Sequence, residues 1–383
     1  MKIAIINISG GGMSGGYRKY LRNVIPRIAS APEVEALLCA SPESFNIQDW
    51  FEPISNIKFV SCNPFRFLAY KPDHKLHQHL EEFSPDVIFV PMERYFRFKK
   101  VPIINMIRNM EPFEAGIGGN PLGERFRNWV CRIVGSRAVK KSNRVIAVSR
   151  YVRDFLIRYL NIPNDKIGLV YHGIDLPENK DIHRPDIIPK GWDGQFLFTA
   201  GSIRPARGLK DIFGAMKHLN NKSRDISGLV IAGSTTPRME RYQKQLEKWV
   251  QKNNLSSKVC WADNLNENEM AWCYQNCCAF VMTSRVESFG MTAGEAMAHG
   301  CICVGADNPC LPEVFGDAAI FYPPKDGKAL AEVIQTVLAW DNHQRKVMSE
   351  KARKRAGEFS WDVCAEKTVA ELEKAARNVK SKS

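Results

Sequence analysis

The chain has 383 residues, 44% of them hydrophobic and 25% charged. This is the composition of an ordinary globular protein, long enough for two domains of roughly 150–200 residues. Fifty-four Lys and Arg against 41 Asp and Glu give a formal net charge of +13. No apolar run approaches the ~20 residues that cross a bilayer, and the run opening the chain is too short for a secretory leader. Eleven Cys fall in no paired framework, and Cys277-Cys278 and Cys301-x-Cys303 lack His partners at metal-binding spacing. Reduced thiols in a cytoplasmic protein without zinc are therefore expected.

In chain order, short β-branched runs alternate with longer helical patterns, which predicts a parallel-sheet α/β architecture. The first strand, 2–8, leads into a glycine-rich stretch, Ser9-Gly-Gly-Gly-Met-Ser-Gly-Gly-Tyr17, and a helix over 18–29. Strands follow at 36–39, 58–60, 87–90, 103–106, 145–148 and 167–170, with helices at 73–83, 121–140 and 150–160. A Pro- and charge-rich stretch, 172–192, reads as a linker. The alternation then restarts, with strands at 196–200, 228–232, 259–261, 278–282, 301–304 and 319–321. Helices are expected at 208–219, 236–253, 294–299 and 328–340, and a last one at 361–379 is expected to return to the first half. Two doubly wound halves place a ligand cleft at the C-terminal ends of both sheets.

The most informative segment follows the predicted strand 278–282: Glu287-Ser-Phe-Gly-Met-Thr-Ala-Gly-Glu295-Ala-Met-Ala-His-Gly300. Amides at a helix N-terminus form an anion site suited to a pyrophosphate. One carboxylate beside it is placed to accept hydrogen bonds from a ribose diol, the other to reach hydroxyls of an attached sugar. Thr292-x-x-Glu295 also reads as a capping box, which alone would account for Glu295. Gly10-x-Gly12-x-x-Gly15 is formally a dinucleotide fingerprint, but no clear acidic residue ends the second strand, although Glu43 is near.

The Glu287–Gly300 segment resembles the signature of the GT-B glycosyltransferases called glycosyl transferases group 1, a large retaining family. The resemblance extends to 198–211, 229–234, 301–306 and 311–314, and to the landmarks 142–149, 170–175 and 359–361. It implies a GT-B fold of two Rossmann-like domains facing a cleft. The acceptor-side domain would take 1–178 plus the C-terminal helix 362–383, and the donor domain 179–361. It also implies that Glu295 binds the nucleotide ribose and that Glu287 contacts the donor sugar. The amides of Phe289, Gly290, Met291 and Thr292 would face sugar and phosphates, and Gly15 and Gly16 would let backbone approach the donor phosphate. Ser202 stands where the family usually has an Arg, and Arg207 where it has a Lys. Arg204 is a candidate replacement cation, since two guanidiniums suffice to cradle a leaving pyrophosphate. Many members carry a His after a mid-sheet strand of the first domain, near the sugar transferred; here Arg108 and Asn109 occupy that place and are expected at the reaction centre, with Glu111 near. His172 reads as structural.

The resemblance implies a retaining glycosyltransferase that moves a hexose or deoxyhexose from a GDP-, UDP- or dTDP-linked donor to a glycan or lipid-linked acceptor. The expected setting is cell-surface polysaccharide or lipopolysaccharide synthesis. With cations and helix amides on the diphosphate, neither metal nor cofactor is expected. Between Arg94 and Arg158 stand 15 Lys and Arg against 4 Asp and Glu, with aromatic residues interleaved. A peripheral contact of region 94–158 with anionic membrane at the inner face is the preferred reading, a solvated basic face the alternative. No nucleic-acid motif stands out. The rival functions are a sugar-nucleotide epimerase of the same architecture and a non-catalytic basic lipid- or glycan-binding relative.

Overall fold

Runs such as Val87-Ile-Phe-Val90, buried at every position, pair side by side as strands of a parallel sheet covered on both faces. A computed structural model describes residues 1–8, 13–64, 73–114, 118–177, 181–220 and 226–380. It divides into two units: unit 1 is Met1–Met110, Trp129–Gly173 and Phe359–Ser383, and unit 2 is Glu111–Asn128 and Ile174–Glu358.

The first half of the chain supplies β1 (Lys2–Ile6), α1 (Gly15–Ala29), β2 (Ala36–Ser41), β3 (Ile57–Ser61), α2 (His74–Phe83), β4 (Val87–Val90), β5 (Ile103–Ile107), α3 (Leu122–Lys141), β6 (Arg144–Ala147), α4 (Arg150–Leu160) and β7 (Ile167–Leu169). The sheet is parallel in the order β3-β2-β1-β4-β5-β6-β7, so strand order reverses between β1 and β4. Helix α4 illustrates the local logic. The Ser149 hydroxyl accepts from the Val152 amide at 3.2 Å, Val152, Phe155, Leu156 and Leu160 are buried on one face, and Asn161 ends the helix in the left-handed region.

The second half supplies β8 (Phe196–Ala200), α5 (Lys210–Asn220), β9 (Gly228–Ala232), α6 (Glu240–Lys252), β10 (Val259–Asp263), α7 (Glu267–Asn276), β11 (Ala279–Met282), α8 (Met291–Ala298), β12 (Cys303–Ala306), α9 (Cys310–Phe315), β13 (Ala319–Tyr322), α10 (Gly327–Leu338), α11 (Asn342–Gly357) and α12 (Trp361–Lys380). Its sheet is parallel in the order β10-β9-β8-β11-β12-β13, with the reversal between β8 and β11. Helix α12 belongs to unit 1 and packs on α1 and β4. There the Arg144 Nε donates to Glu371 Oε2 at 2.7 Å, both side chains nearly buried.

Three helices were not expected. The surface of α11 is polar all round, with only Ala352 and Ala356 buried, so no apolar stripe announces it; an Asp341–Gln344 capping box starts it. A capping box of Asn266 and Glu269 starts α7, and α9 is a six-residue turn after Asn308-Pro309. The described residues of the stretch 172–192 form no helix or strand, but its second half is not a loose linker. Ile188 and Trp192 are buried, and the Trp192 ring lies where a side chain on Gly228 would stand, 2.0 Å from the nearest ring atom.

Candidate functional site

In unit 2 the loops after the two switch-point strands, β8 and β11, are tied to each other. Gly201 turns the chain out of β8 at φ 135°, and Ser202 stands half-buried beside it. Arg207 ends a short helical turn, and Gly208 closes that turn at φ 66°, with its Cα so near the other loop that a Cβ would lie 2.1 Å from the Thr283 carbonyl oxygen. The Thr283 hydroxyl donates to the Arg207 carbonyl at 2.6 Å, and the Arg285 amide to the Ala206 carbonyl at 2.7 Å. Beneath, buried Asp211 accepts from Arg285 Nη1 at 2.6 Å, Tyr322 Oη at 2.9 Å and the Lys325 amide at 2.9 Å.

The predicted residues Arg204, Arg207 and Glu287 are all found on these loops or against them, and each cation already holds a carboxylate. The Arg207 guanidinium pairs with Glu287 Oε1, to which Ser284 Oγ also donates at 3.0 Å. The Arg204 guanidinium pairs with Glu111 Oε2, brought by the 111–128 segment of the same unit. Each carboxylate occupies a guanidinium fork suited to a phosphate oxygen.

Glu295 and the amides lie on α8. This helix begins at Met291, with Gly290 at its N-cap in the left-handed region (φ 87°) and no side-chain cap. The capping-box reading of Thr292-x-x-Glu295 is therefore overturned: Thr292 sits inside the first turn, and its buried Oγ1 has no hydrogen-bond partner. Among the described residues, no side-chain oxygen caps the first-turn amides of Met291 and Thr292, which stay open to water or a ligand. The Phe289 ring is buried in the core, and Gly294 makes room within α8 for Ile174, whose Cδ1 would be 2.1 Å from a Cβ there.

Glu295 Oε2 accepts from the Tyr274 hydroxyl at 3.1 Å, and the Tyr274 ring stacks on His299 at 5.2 Å between centroids. Burial, then the Glu295 charge, pushes the Tyr274 phenol far above its ordinary value, so it remains a donor. Sequence reasoning missed Tyr274 and gave Glu111 no role. Tyr274 stands on the unexpected α7, and no spacing links 274 to 295 or 111 to 204.

Unit 1 gathers Arg108 and Asn109 after β5. Glu93 Oε1 accepts both of their backbone amides, at 2.7 and 2.9 Å, and the Arg108 guanidinium lies 3.8 Å above the Tyr17 ring. The Tyr17 hydroxyl donates to Asn7 Oδ1 at 3.3 Å, and burial raises its pKa strongly. Gly15 and Gly16 open α1, and the Ser14 side chain caps that helix at the Tyr17 amide. A Cβ on Gly15 would meet nothing within 4 Å among the described residues. Gly10 and Gly12 of the fingerprint lie outside the described residues. His172 is buried against Tyr20 and Trp361. Burial, and then the Arg108 charge, lowers its pKa to about 3, so the ring is neutral at physiological pH.

With this geometry in hand, comparisons with known proteins are informative. The sequence profile described as Glycosyl transferases group 1 matches residues 184–355, and that described as Glycosyltransferase Family 4 matches 14–178. The O-antigen chain mannosyltransferase RfbU of Salmonella typhimurium is 25% identical over 54% of this chain and 54% of its own length. The O-antigen chain mannosyltransferase B of Escherichia coli is 25% identical over 59% of each chain. The chain thus spans little more than half the length of these curated relatives. The crystal structure of Anabaena Alr3699/HepE in complex with UDP-glucose superposes with a TM-score of 0.72 at 16% identity, over 98% of this chain and 100% of that one. Two profiles that together take in most of the chain, over two parallel doubly wound units, show that it belongs to the glycosyl transferases group 1, of GT-B fold.

Proposed function

We propose that this chain is a retaining glycosyltransferase that moves a hexose or deoxyhexose from a GDP-, UDP- or dTDP-linked donor to a glycan or lipid-linked acceptor, without a divalent metal. The observation that carries the reading is the unit 2 site: two guanidiniums, the uncapped start of α8 and Glu295 gathered at the switch-point strand ends. Cleaving an anomeric carbon–phosphate bond leaves negative charge on the diphosphate. Arg204, Arg207 and the amides of Gly290, Met291 and Thr292 are suited to receive it, each such donor contributing ~10²–10³ in rate. Glu295 would hold the ribose and Glu287 the transferred sugar, with Ser202 beside the phosphates. Arg108 and Asn109 would lie at the reaction centre, and Gly15 and Gly16 would let backbone approach the donor phosphate. The O-antigen mannosyltransferases among the relatives favour synthesis of cell-surface polysaccharide or lipopolysaccharide, and the basic region 94–158 favours work at the inner membrane face.

Thermal shift against GDP, UDP and dTDP tests the reading. One nucleotide should raise the melting temperature and the others much less, and transfer should persist in excess EDTA. No response to any nucleoside diphosphate sinks the proposal. Release of free nucleotide and an altered sugar without an acceptor would make the chain an epimerase, and activity restored only by manganese would contradict the metal-free mechanism.

A further inference from the structure

The end of α7 hands its Tyr274 carbonyl to sulfur. Helical pairing would give that carbonyl the Cys278 amide, which instead donates to the Phe196 carbonyl at 2.9 Å. In its place Cys301 Sγ donates to the Tyr274 carbonyl at 3.0 Å and Cys277 Sγ approaches it at 3.6 Å, with the two thiols in hydrogen-bonding reach of each other. Two neighbouring cysteines turn elsewhere: Cys278 Sγ to the Phe196 carbonyl at 3.1 Å, and Cys303 Sγ to the Cys301 carbonyl at 3.4 Å. Cys277 and Cys301 each stand two residues before a strand, and those strands, β11 and β12, pair with Phe280 opposite Cys303. Neighbouring strands run about 4.8 Å apart and a disulfide spans about 4.4–6.8 Å between Cα atoms, so side-chain rotation suffices to join the pair. Cys277 is half-buried and open to a small reagent, whereas Cys301 is buried.

The same tyrosine holds Glu295 through its hydroxyl, and the Cys301 amide donates to the carbonyl of the next residue, Ala296, at 3.0 Å. The two sulfurs thus touch both helices that make the Tyr274–Glu295 contact, all within unit 2. We propose that Cys277 and Cys301 form a reversible dithiol–disulfide couple that tunes nucleotide affinity through Tyr274, a reading that rests on the proposed role of Glu295 at the ribose. The oxidant is a peroxide. Hydrogen peroxide converts one thiol to a sulfenic acid and releases water, and the second sulfur displaces the hydroxyl as another water. Two S–H bonds are exchanged for one S–S bond, and the peroxide is reduced to water. The hydrogen bond to Cys301 and then burial raise the Cys277 thiol well above its ordinary value, and burial raises Cys301. Both therefore keep their protons in the reduced protein and oxidise slowly, so the couple answers sustained rather than passing peroxide. Once joined, neither sulfur donates. A buried carbonyl stripped of its donors is unfavourable, so the end of α7 shifts and Tyr274 loosens its hold on Glu295.

The experiment oxidises the full chain with hydrogen peroxide, digests it without reductant and maps disulfides by mass spectrometry. A peptide pair joined through Cys277 and Cys301 appears, and dithiothreitol abolishes it. Calorimetry with GDP, UDP and dTDP finds the preferred nucleotide bound about tenfold more weakly after oxidation and fully restored by dithiothreitol, which leaves oxidised methionines unrepaired. Cys277→Ser keeps a donor for Tyr274 and cannot cross-link, so it binds as the reduced wild type does, before and after peroxide. Cys131→Ser, at another half-exposed thiol, responds as the wild type does. The proposal is overturned if no Cys277–Cys301 cross-link forms, if it forms and affinity is unchanged, or if Cys277→Ser weakens with peroxide as the wild type does. A cross-link in a chain whose reduced form ignores every nucleoside diphosphate removes the ribose role of Glu295, and with it the tuning, and leaves the disulfide standing.

Discussion

Arg207 holds Glu287 in an ion pair that, on the proposed function, a diphosphate would have to share or break. Glu287→Gln removes the competing charge, so nucleoside diphosphate should bind a few-fold more tightly while turnover falls about a hundredfold. Calorimetry and steady-state kinetics on one preparation check both, and wild-type values in both remove Glu287 from the reaction path. Glu295→Ala should weaken nucleotide binding, and Tyr274→Phe should do so less, by about tenfold, since it deletes one hydrogen bond to a charged group. If Tyr274→Phe binds nucleotide as the wild type does, Tyr274 does not orient Glu295. His172 gives a pH prediction. Its folded pKa, about 3, lies below its unfolded value, so its contribution is complete above pH ~6.5 and is lost as pH falls toward 3. Between pH 6.5 and 5 the wild type should lose about 2 kcal/mol that His172→Gln does not, read from denaturant midpoints. Equal acid sensitivity would show that the ring is not buried neutral. At this scale the two glutamates and the loop arginines were legible because they lie in one short signature and one loop. Their partners Tyr274 and Glu111 were not, because tertiary packing alone brings them there.

Among elements, the strands were the most readable, since fully buried parallel strands need continuous β-branched and aromatic runs, and 87–90, 196–200 and 228–232 were placed to the residue. Helices were readable where they bury a stripe. Helix α11 lacks one, and the start of α8 was placed three residues late because Gly290 rather than a side chain caps it. Helix α3 was expected, but periodicity could not say which of its faces points outward. The paired loops after β8 and β11 make Gly208 the most sensitive single position. Gly208→Ala meets both a positive φ and the Thr283 carbonyl at 2.1 Å, so it should cost more than about 1 kcal/mol and displace Arg207. A thermal midpoint and nucleotide affinity both at wild-type values would show that the loops separate freely.

For the whole molecule, chain order and domain order differ. Unit 1 takes the first and last segments, and the chain changes unit after Met110, Asn128, Gly173 and Glu358. A chain ending at Glu358 lacks α12, which uncovers α1 and β4 and removes Glu371, the partner of Arg144. Such a chain should lose the unfolding transition of unit 1 and keep the nucleotide response of unit 2. Both transitions surviving would mean that α12 is dispensable. The two-unit division was visible in the restart of the alternation, whereas the grouping of 111–128 with unit 2 left no mark in the pattern.

The late place of α12 in the chain also bears on biosynthesis. Ribosomes deliver a polypeptide from its N-terminus, and domains generally fold as units while they emerge. Here the segments of unit 1 that precede Ile174 must wait for α12 before β4, β5 and β6 are covered, while unit 2 has every segment it needs earlier. Until α12 emerges, the nascent protein carries that part of an apolar sheet uncovered. That interval is when chaperone demand and misassembly should be greatest.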